Sequence, residues 1–269
     1  MFNRKAELIS EGINLKVTGL KINFNVEKSL VGYPNKANIK VYNLSENTRN
    51  RLEAKGLKVQ LYAGYEDTET PLVFDGDIIN VVHAKNGTDW VSEIYAADGV
   101  NILSTATINK SFAAGTNTEQ IYNELVGHLP GVTKGITEGL KNCLTGKKSL
   151  LRSLQLSGNV KDWLDNISKD CGFEYSVNDG VIETTPTGSP LSDVPPMVIN
   201  QGTGMIGSPE RTEVGVNVEH YLLPELKLGR TIKIESIAEK INVGNLFFRK
   251  IPLIRNEGIY RIDKLVHVG

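Results

Sequence analysis

Apolar and polar residues alternate with period two in both flanks of the chain and follow a helical period only between them. Over residues 12–24 the apolar positions are Ile13, Leu15, Val17, Leu20, Ile22 and Phe24, with a break at Gly19, which predicts a bulged or bent strand. Ile39 and Val41, then Val59, Leu61 and Ala63, then residues 72–84 and 88–96 repeat the alternation. Asn86-Gly87 between the last two runs predicts a hairpin whose two turn residues both take positive φ. Ser45 is placed to cap a short helix over 46–55 that Gly56 ends.

The period changes in the middle. Ile121, Tyr122, Leu125, Val126 and Leu129 predict a helix over 118–129, stopped by Pro130-Gly131. Val160, Trp163, Leu164 and Ile167 predict another over 160–170, with Asn159 as cap and Gly172 as terminator. Residues 173–177 and 181–185 flank Asn178-Asp179-Gly180, a second hairpin signal. Together they read as a small α+β unit, followed by a linker from Pro186 to Pro196. Alternation then returns at Val214, Val216 and Val218, at Ile232 and Ile234, and in a terminal strand over 259–268; residues 242–257, with Phe247-Phe248, are irregular.

The two β flanks resemble each other. Ile39–Leu44, then Gly56 to Leu61, then Ile78 to His83 align in kind with Val216 to Tyr221, Gly229 to Ile234 and Ile262 to His267. Each copy reads strand, spacer, glycine, strand, connection, and a strand ending in Val-His. Two like modules in one chain, closed into a threefold ring, would present six like units.

Composition narrows the chemistry. The 269 residues carry 30 Lys and Arg against 31 Asp and Glu, a net charge of −1, which argues against a dedicated nucleic-acid binder. There is no apolar run of membrane-spanning length and no secretory signal at the start, so synthesis in the cytoplasm is expected. Cys143 and Cys171 form no CxxC pair and are read as reduced thiols. Gly202-Thr-Gly204-Met-Ile-Gly207 matches a dinucleotide fingerprint by letter. Pro209 and a strand pattern follow where a helix is needed, so Gly202, Gly204, Gly207 and Pro209 are read as structural turn residues, with Gly56 and Gly229 at the two strand starts. Asp75-Gly76-Asp77 offers too few hard oxygens for a cation site and is read as a turn or bulge inside a strand. His83, His128, His220 and His267 lack metal or catalytic spacing, so no catalytic, cofactor-binding or metal residue is assigned and no cofactor is expected. Basic clusters over 134–152 and 227–255 are read as solvated or subunit-facing surface.

Read in order, these residues carry a resemblance. Ile39-Lys-Val-Tyr-Asn43-Leu44, Val59-Gln-Leu-Tyr-Ala-Gly64-Tyr65 and Leu72-Val-Phe-Asp-Gly76-Asp-Ile78 are followed by the 202–209 segment. Gly215-Val-Asn-Val218, Leu222-Leu-Pro224-Glu-Leu226, Gly229 and Ile232-Lys-Ile234 complete the series. This series resembles bacteriophage baseplate hub proteins of contractile tails, related to the hub part of type VI secretion spikes. The resemblance implies a mainly β (α+β) fold, with two similar small antiparallel β-barrel modules at 1–110 and 196–269. Between them it implies an α+β insertion and linker at 111–195. It implies a structural, non-enzymatic homotrimer that adapts a sixfold tail tube protein to a threefold central spike protein. The tape measure protein and baseplate wedge would be neighbours, and DNA would transit the channel without sequence recognition. The chain itself would insert in no membrane, and would sit in the virion tail baseplate after assembly in the host cytoplasm. Two rival readings are a virion-associated peptidoglycan hydrolase, which needs a cleft with perturbed carboxylates, and a receptor- or glycan-binding β module, which needs exposed aromatics.

Overall fold

The computed structural model describes residues 4–30, 34–65, 70–141, 143, 150–191, 195–212, 215–236, 240–241 and 258–269. The chain divides into two compact units, Met1–Ser189 with Asp263–Gly269, and Pro190–Ile262.

The first unit is built on an eight-stranded sheet. Its strands are β1 (Arg4–Ser10), β2 (Leu15–Val17), β3 (Ile22–Ser29), β4 (Lys36–Tyr42), β5 (Lys58–Tyr65), β6 (Leu72–Asn86), β7 (Asp89–Ala97) and the C-terminal strand Lys264–Val268. The order is C-terminal strand–β3–β4–β7–β6–β5–β1–β2. Alternation explains both faces. Leu8, Leu61 and Phe74 stand opposite one another, as do Phe24, Ile39 and Ile94, and all are buried. Each such side chain contributes about 1.5–3 kcal/mol by leaving water. Helix α1 (Glu46–Leu52) follows Ser45, whose hydroxyl accepts from the Thr48 amide, and adds the buried Leu52.

Three details depart from the pattern reading. The bent strand over 12–24 is two strands. Gly19, at φ 75°, separates β2, on one sheet edge, from β3, next to the other. The β6–β7 turn is Gly87-Thr88, flanked by the pair Asn86–Asp89, and only Gly87 has positive φ (62°). Glycine at the first central position is the requirement of a type II′ turn, so Asn86 stays in the ladder. Asp75-Gly76-Asp77 is regular strand, with register shifts on either side of it at Leu61/Tyr62 and Ile78/Asn80. A Cβ at Gly76 would lie 2.6 Å from Phe74 Cζ and 2.8 Å from the Ala97 carbonyl oxygen. Backbone cannot yield as a side chain end can, so Gly76→Ala is expected to cost about 3 kcal/mol in a denaturant melt. A loss under about 1 kcal/mol would show that this approach is not tight.

The middle segment forms its own α+β module. Helix α2 (Val100–Thr105) leads to strand β8 (Thr107–Phe112), helix α3 (Thr118–Gly127) and the short β9 (Thr133–Lys134). Strand β10 (Leu154–Asn159), helix α4 (Val160–Cys171) and the hairpin β11 (Phe173–Asn178)–β12 (Val181–Pro186) follow. Asn117 and Gln120 make a reciprocal capping box on α3. Asn159 accepts from the Lys161 amide, and Gly172 closes α4 in the left-handed region. Asp179 (φ 53°) and Gly180 (φ 76°) make the β11–β12 turn of type I′ form. The core comprises Ile108, Tyr122, Leu125, Leu156, Leu164 and Ile182 among others, all from this module. Cys143 and Cys171 are joined in a disulfide within it, which corrects the expectation of reduced thiols; the fold brings Cys171, at the end of α4, to a residue 28 positions earlier in sequence.

The second unit contains two three-stranded sheets. In one, β13 (Met197–Ile199) pairs parallel with β16 (Thr231–Ile234), which pairs antiparallel with β18 (Gly258–Arg261). In the other, β14 (Met205–Arg211) lies between β15 (Val216–His220) and β17 (Lys240–Ile241). The terminal strand predicted over 259–268 is two strands. β18 stays in the second unit, and β19 (Lys264–Val268) is the C-terminal strand that pairs with β3. The segments matched in the sequence repeat therefore lie in one sheet in the first copy and in three sheets in the second. The architecture is mainly β, and no closed barrel forms among the described residues: the eight-stranded order ends at β19 and β2. Residues 242–257, with Phe247-Phe248, lie outside the described residues.

Candidate functional site

The turn residues of the sequence reading occupy three places. Gly56 (φ 76°) follows α1. Gly229 (φ 75°) donates its amide to the Ile262 carbonyl and accepts from the Leu191 amide. Gly202 lies in a 3-10 turn, Gln201–Thr203, capped reciprocally by Asn200, and Gly204 (φ 110°) ends it. Gly207 (φ 69°) and the buried Pro209 lie in β14, where the register shifts between Ile206 and Glu210 against β15. Proline has no amide to lose at such an irregularity. The fingerprint segment thus runs from strand through a one-turn cap into strand, without the helix N-terminus a pyrophosphate needs.

One constellation has the elements of a hydrolase. His83 Nδ1 lies 2.9 Å from Ser92 Oγ, and its Nε2 lies 3.2 Å from the Arg49 carbonyl and 3.9 Å from Glu53 Oε1. Ser92 is 0% exposed, so no substrate carbonyl can reach its hydroxyl. Arg49 stacks on Trp90 at 4.2 Å and donates to the Leu44 carbonyl at 2.6 Å, pinning α1 against the β6–β7 hairpin. His128 caps α3 beside Glu124, His220 Nδ1 lies 2.8 Å from the Tyr221 carbonyl, and His267 is buried. No group of three metal-ligating side chains occurs among the described residues. Of the basic clusters, Lys134 donates to Asn123, Lys141 pairs with Glu138 and Lys233 with Glu235. Lys147, Lys148, Arg249, Lys250 and Arg255 lie outside the described residues.

The outer face of the eight-stranded sheet carries an ordered set of side chains. Two rows of side chains cross it in register. One runs Val268, Asn25, Asn38, Tyr95, Asn80; the other runs Asn23, Lys40, Glu93, Val82. Glu93 accepts from Asn38 at 2.8 Å and pairs with Lys40 at 3.3 Å. Those contacts, led by the Asn38 hydrogen bond, hold its carboxyl below the usual range, while Glu93 raises the Tyr95 phenol. Among the described residues no element of the first unit covers this face broadly, and it carries polar side chains together with the exposed Val82, Tyr95 and Val268.

A buried polar cluster lies where the middle module meets the sheet. Lys28 Nζ contacts Asp179 Oδ2 at 2.7 Å and Oδ1 at 3.0 Å. Asp179 Oδ1 also accepts from the Asp75 amide at 3.2 Å, and the Asp179 amide donates to Asp98 Oδ2 at 2.6 Å. Asn35 donates to the Val177 carbonyl and to Asn178 Oδ1. Burial first, with the Asp179 and Asp75 charges adding, pushes Asp98 up to about 7 against the Asp179 amide and Lys28. Burial first, then Lys28, pushes His267 down to about 4. A recess of about 20 Å³ beside Ser29, Asp98 and Tyr175 has room for one water. Sequence spacing gave no sign of this cluster, because its members lie up to 151 residues apart.

Comparisons follow the fold. A 43 kDa tail protein of prophage MuSo2 from Shewanella oneidensis is 12% identical over 77% of this chain and 62% of that one, with a TM-score of 0.51. A tail protein from Neisseria meningitidis MC58 is 11% identical over 89% and 71%, at 0.52. The E. coli c3393 protein, a type VI secretion component described as structurally similar to T4 tail proteins gp27 and gp5, is 10% identical over 97% and 72%, at 0.57. The chain thus spans under two thirds of the first relative's length, and the fold is shared with phage tail proteins. No curated protein matches the chain. The family model for Baseplate hub gp41 matches residues 5–251, and the chain belongs to that family, a structural one of phage tail baseplates. Membership places it in the virion tail, and among the described residues no helix is long and apolar enough to cross a membrane.

Proposed function

We propose that three copies of this chain form a ring that adapts the sixfold tail tube to the threefold central spike, without catalysis of its own. The tape measure protein and the baseplate wedge are its further neighbours, and assembly takes place in the host cytoplasm. DNA passes through the bore without sequence recognition. The observation that carries this reading is the exposed sheet face with its in-register rows of Asn25, Asn38, Asn80, Lys40 and Glu93. A wall for passing DNA needs hydrated groups of both signs, so that phosphates are neither held nor driven off. The open edges at β2 and β19 support barrels completed between neighbours, since unpaired strand edges seek partners. On this reading the eight-stranded sheet and the sheets of the second unit supply the barrel walls, and the middle module is the insertion. The hydrolase alternative needs a perturbed carboxylate in a cleft; Asp98 is perturbed but buried beside a recess with room for one water, too small for a glycan. Mass photometry and electron microscopy of the protein mixed with tube and spike proteins are expected to show threefold rings. A persistent monomer in that mixture would overturn the adaptor reading.

A further inference from the structure

The joint between the middle module and the eight-stranded sheet is unusual in what holds it. The module has a contiguous apolar core of its own, whose buried members run from Ala106 to Ile182 and include no residue of β1 to β7. Among the described residues, no strand of the sheet packs broadly against α3, α4 or the β11–β12 hairpin. The chain passes from the sheet into the module at Asp98-Gly99, with Gly99 (φ 71°) in the left-handed region at the start of α2. It leaves the module at Thr187-Gly188 (φ 71°) and returns to the sheet only after the second unit, as β19.

What spans the joint is polar and converges on one turn. Asp179, at the tip of β11–β12, is gripped by Lys28 of β3, the Asp75 amide of β6 and, through its own amide, Asp98 after β7. Asn35, before β4, holds Val177 and Asn178 beside it. A joint made by apolar interdigitation breaks only with the core it belongs to. A joint made by a few directional bonds around one turn can open while both cores stay intact. The Lys28–Asp179 pair suits that role, because Asp179 keeps 26% side-chain exposure against 10% for Lys28, and opening the latch returns a largely buried ammonium to water.

We infer that residues 100–187 form a separately folded module, latched to the sheet at the Asp179 turn and joined to it directly in sequence at Gly99 and, by way of the second unit, at Asp263, and that opening of this latch is a conformational step of the protein. The moving part is the whole module, and the pivot is the Asp98–Val100 crossing. The inference is independent of the hub reading, since it concerns one chain and no partner.

Hydrogen exchange on the full-length protein tests it. Asp179→Asn keeps a residue that tolerates the left-handed turn but removes the charge that Lys28 grips. Lys28→Met removes the other half and leaves the turn untouched. Both variants are expected to raise exchange at the Asp75 and Asp179 amides about tenfold, with α3 and α4 within about twofold of wild type. Loss of protection in α3 and α4 in step with the joint, or a variant that fails to fold, would show one cooperative body and overturn the latch. Unchanged exchange at the joint in both variants would overturn it equally.

Discussion

Tyr122→Ala is expected to remove about 3–5 kcal/mol from the middle module, the largest single loss available there. Tyr122 is 0% exposed and projects from α3 into the core, with its ring edge-to-face on Phe173 at 6.4 Å between centroids. Truncation leaves a ring-sized cavity beside Phe173, in a core whose members come from several elements and cannot all collapse into it. The hydroxyl behaves differently from the ring. It is buried with no hydrogen-bond partner, and burial first, then the charge of Glu183, pushes its acidity far out of reach. Removing an unsatisfied donor relieves a desolvation cost, so Tyr122→Phe is expected to match wild type or gain about 1 kcal/mol. The chain has two tryptophans, and Trp163 lies in this module with its indole N–H on the Ser157 carbonyl. In a Trp90→Phe background, guanidinium melts read by fluorescence therefore report on the module alone. If Tyr122→Phe lost more than about 1 kcal/mol, the hydroxyl would have a partner and the orphan argument would fail.

Local rules carried far in this chain. Ser45, Asn159, Gly172 and the Asp179-Gly180 turn lie where cap and turn chemistry puts them, because each acts within four residues of itself. Period-two alternation also marks the buried face of β3, β4 and β5, since it is that face which must leave water. Alternation says nothing about partners. β2 and β3 read as one strand and lie near opposite edges of the sheet; 259–268 reads as one strand and serves two units. The repeat seen in sequence has the same weakness: alternation recurs in any half-buried strand, and strand order is decided by contacts far apart in the chain. The hub assignment survived because it rested on the order of many weak motifs rather than on any one pairing. The latch was invisible for the opposite reason. Lys28, Asn35, Asp98 and Asp179 are ordinary polar residues until the fold brings them together and buries the first three.

That burial sets two titrations against each other, and their separation is the second large effect. Asp98 rises from 3.8 to about 7 on folding, so between those values the native state holds a proton that the unfolded chain has released. Stability from this group is present at acid pH and falls, at about 1.4 kcal/mol per pH unit, as pH climbs to about 7. His267 moves the other way, from 6.5 to about 4, so between those values the unfolded chain holds the proton and the native state refuses it. Its contribution is present above 6.5 and is lost as pH falls toward 4. Lys28, Asp179 and Asp75 face Asp98, and Lys28 and Asp179 face His267; their charges are part of both values. The two slopes cancel across most of the window, so the wild type is expected to gain or lose little from this pair between pH 4.5 and 6.5. Each substitution exposes the other. Relative to wild type, Asp98→Asn should gain about 3 kcal/mol between pH 4.5 and 7.5, and His267→Gln should lose about 3 kcal/mol over the same interval. Referring each variant to wild type removes the titration of remote carboxylates such as Glu7 and Glu235. Parallel pH profiles for wild type and both variants in denaturant melts would mean that these groups titrate alike folded and unfolded, and that water reaches the joint freely.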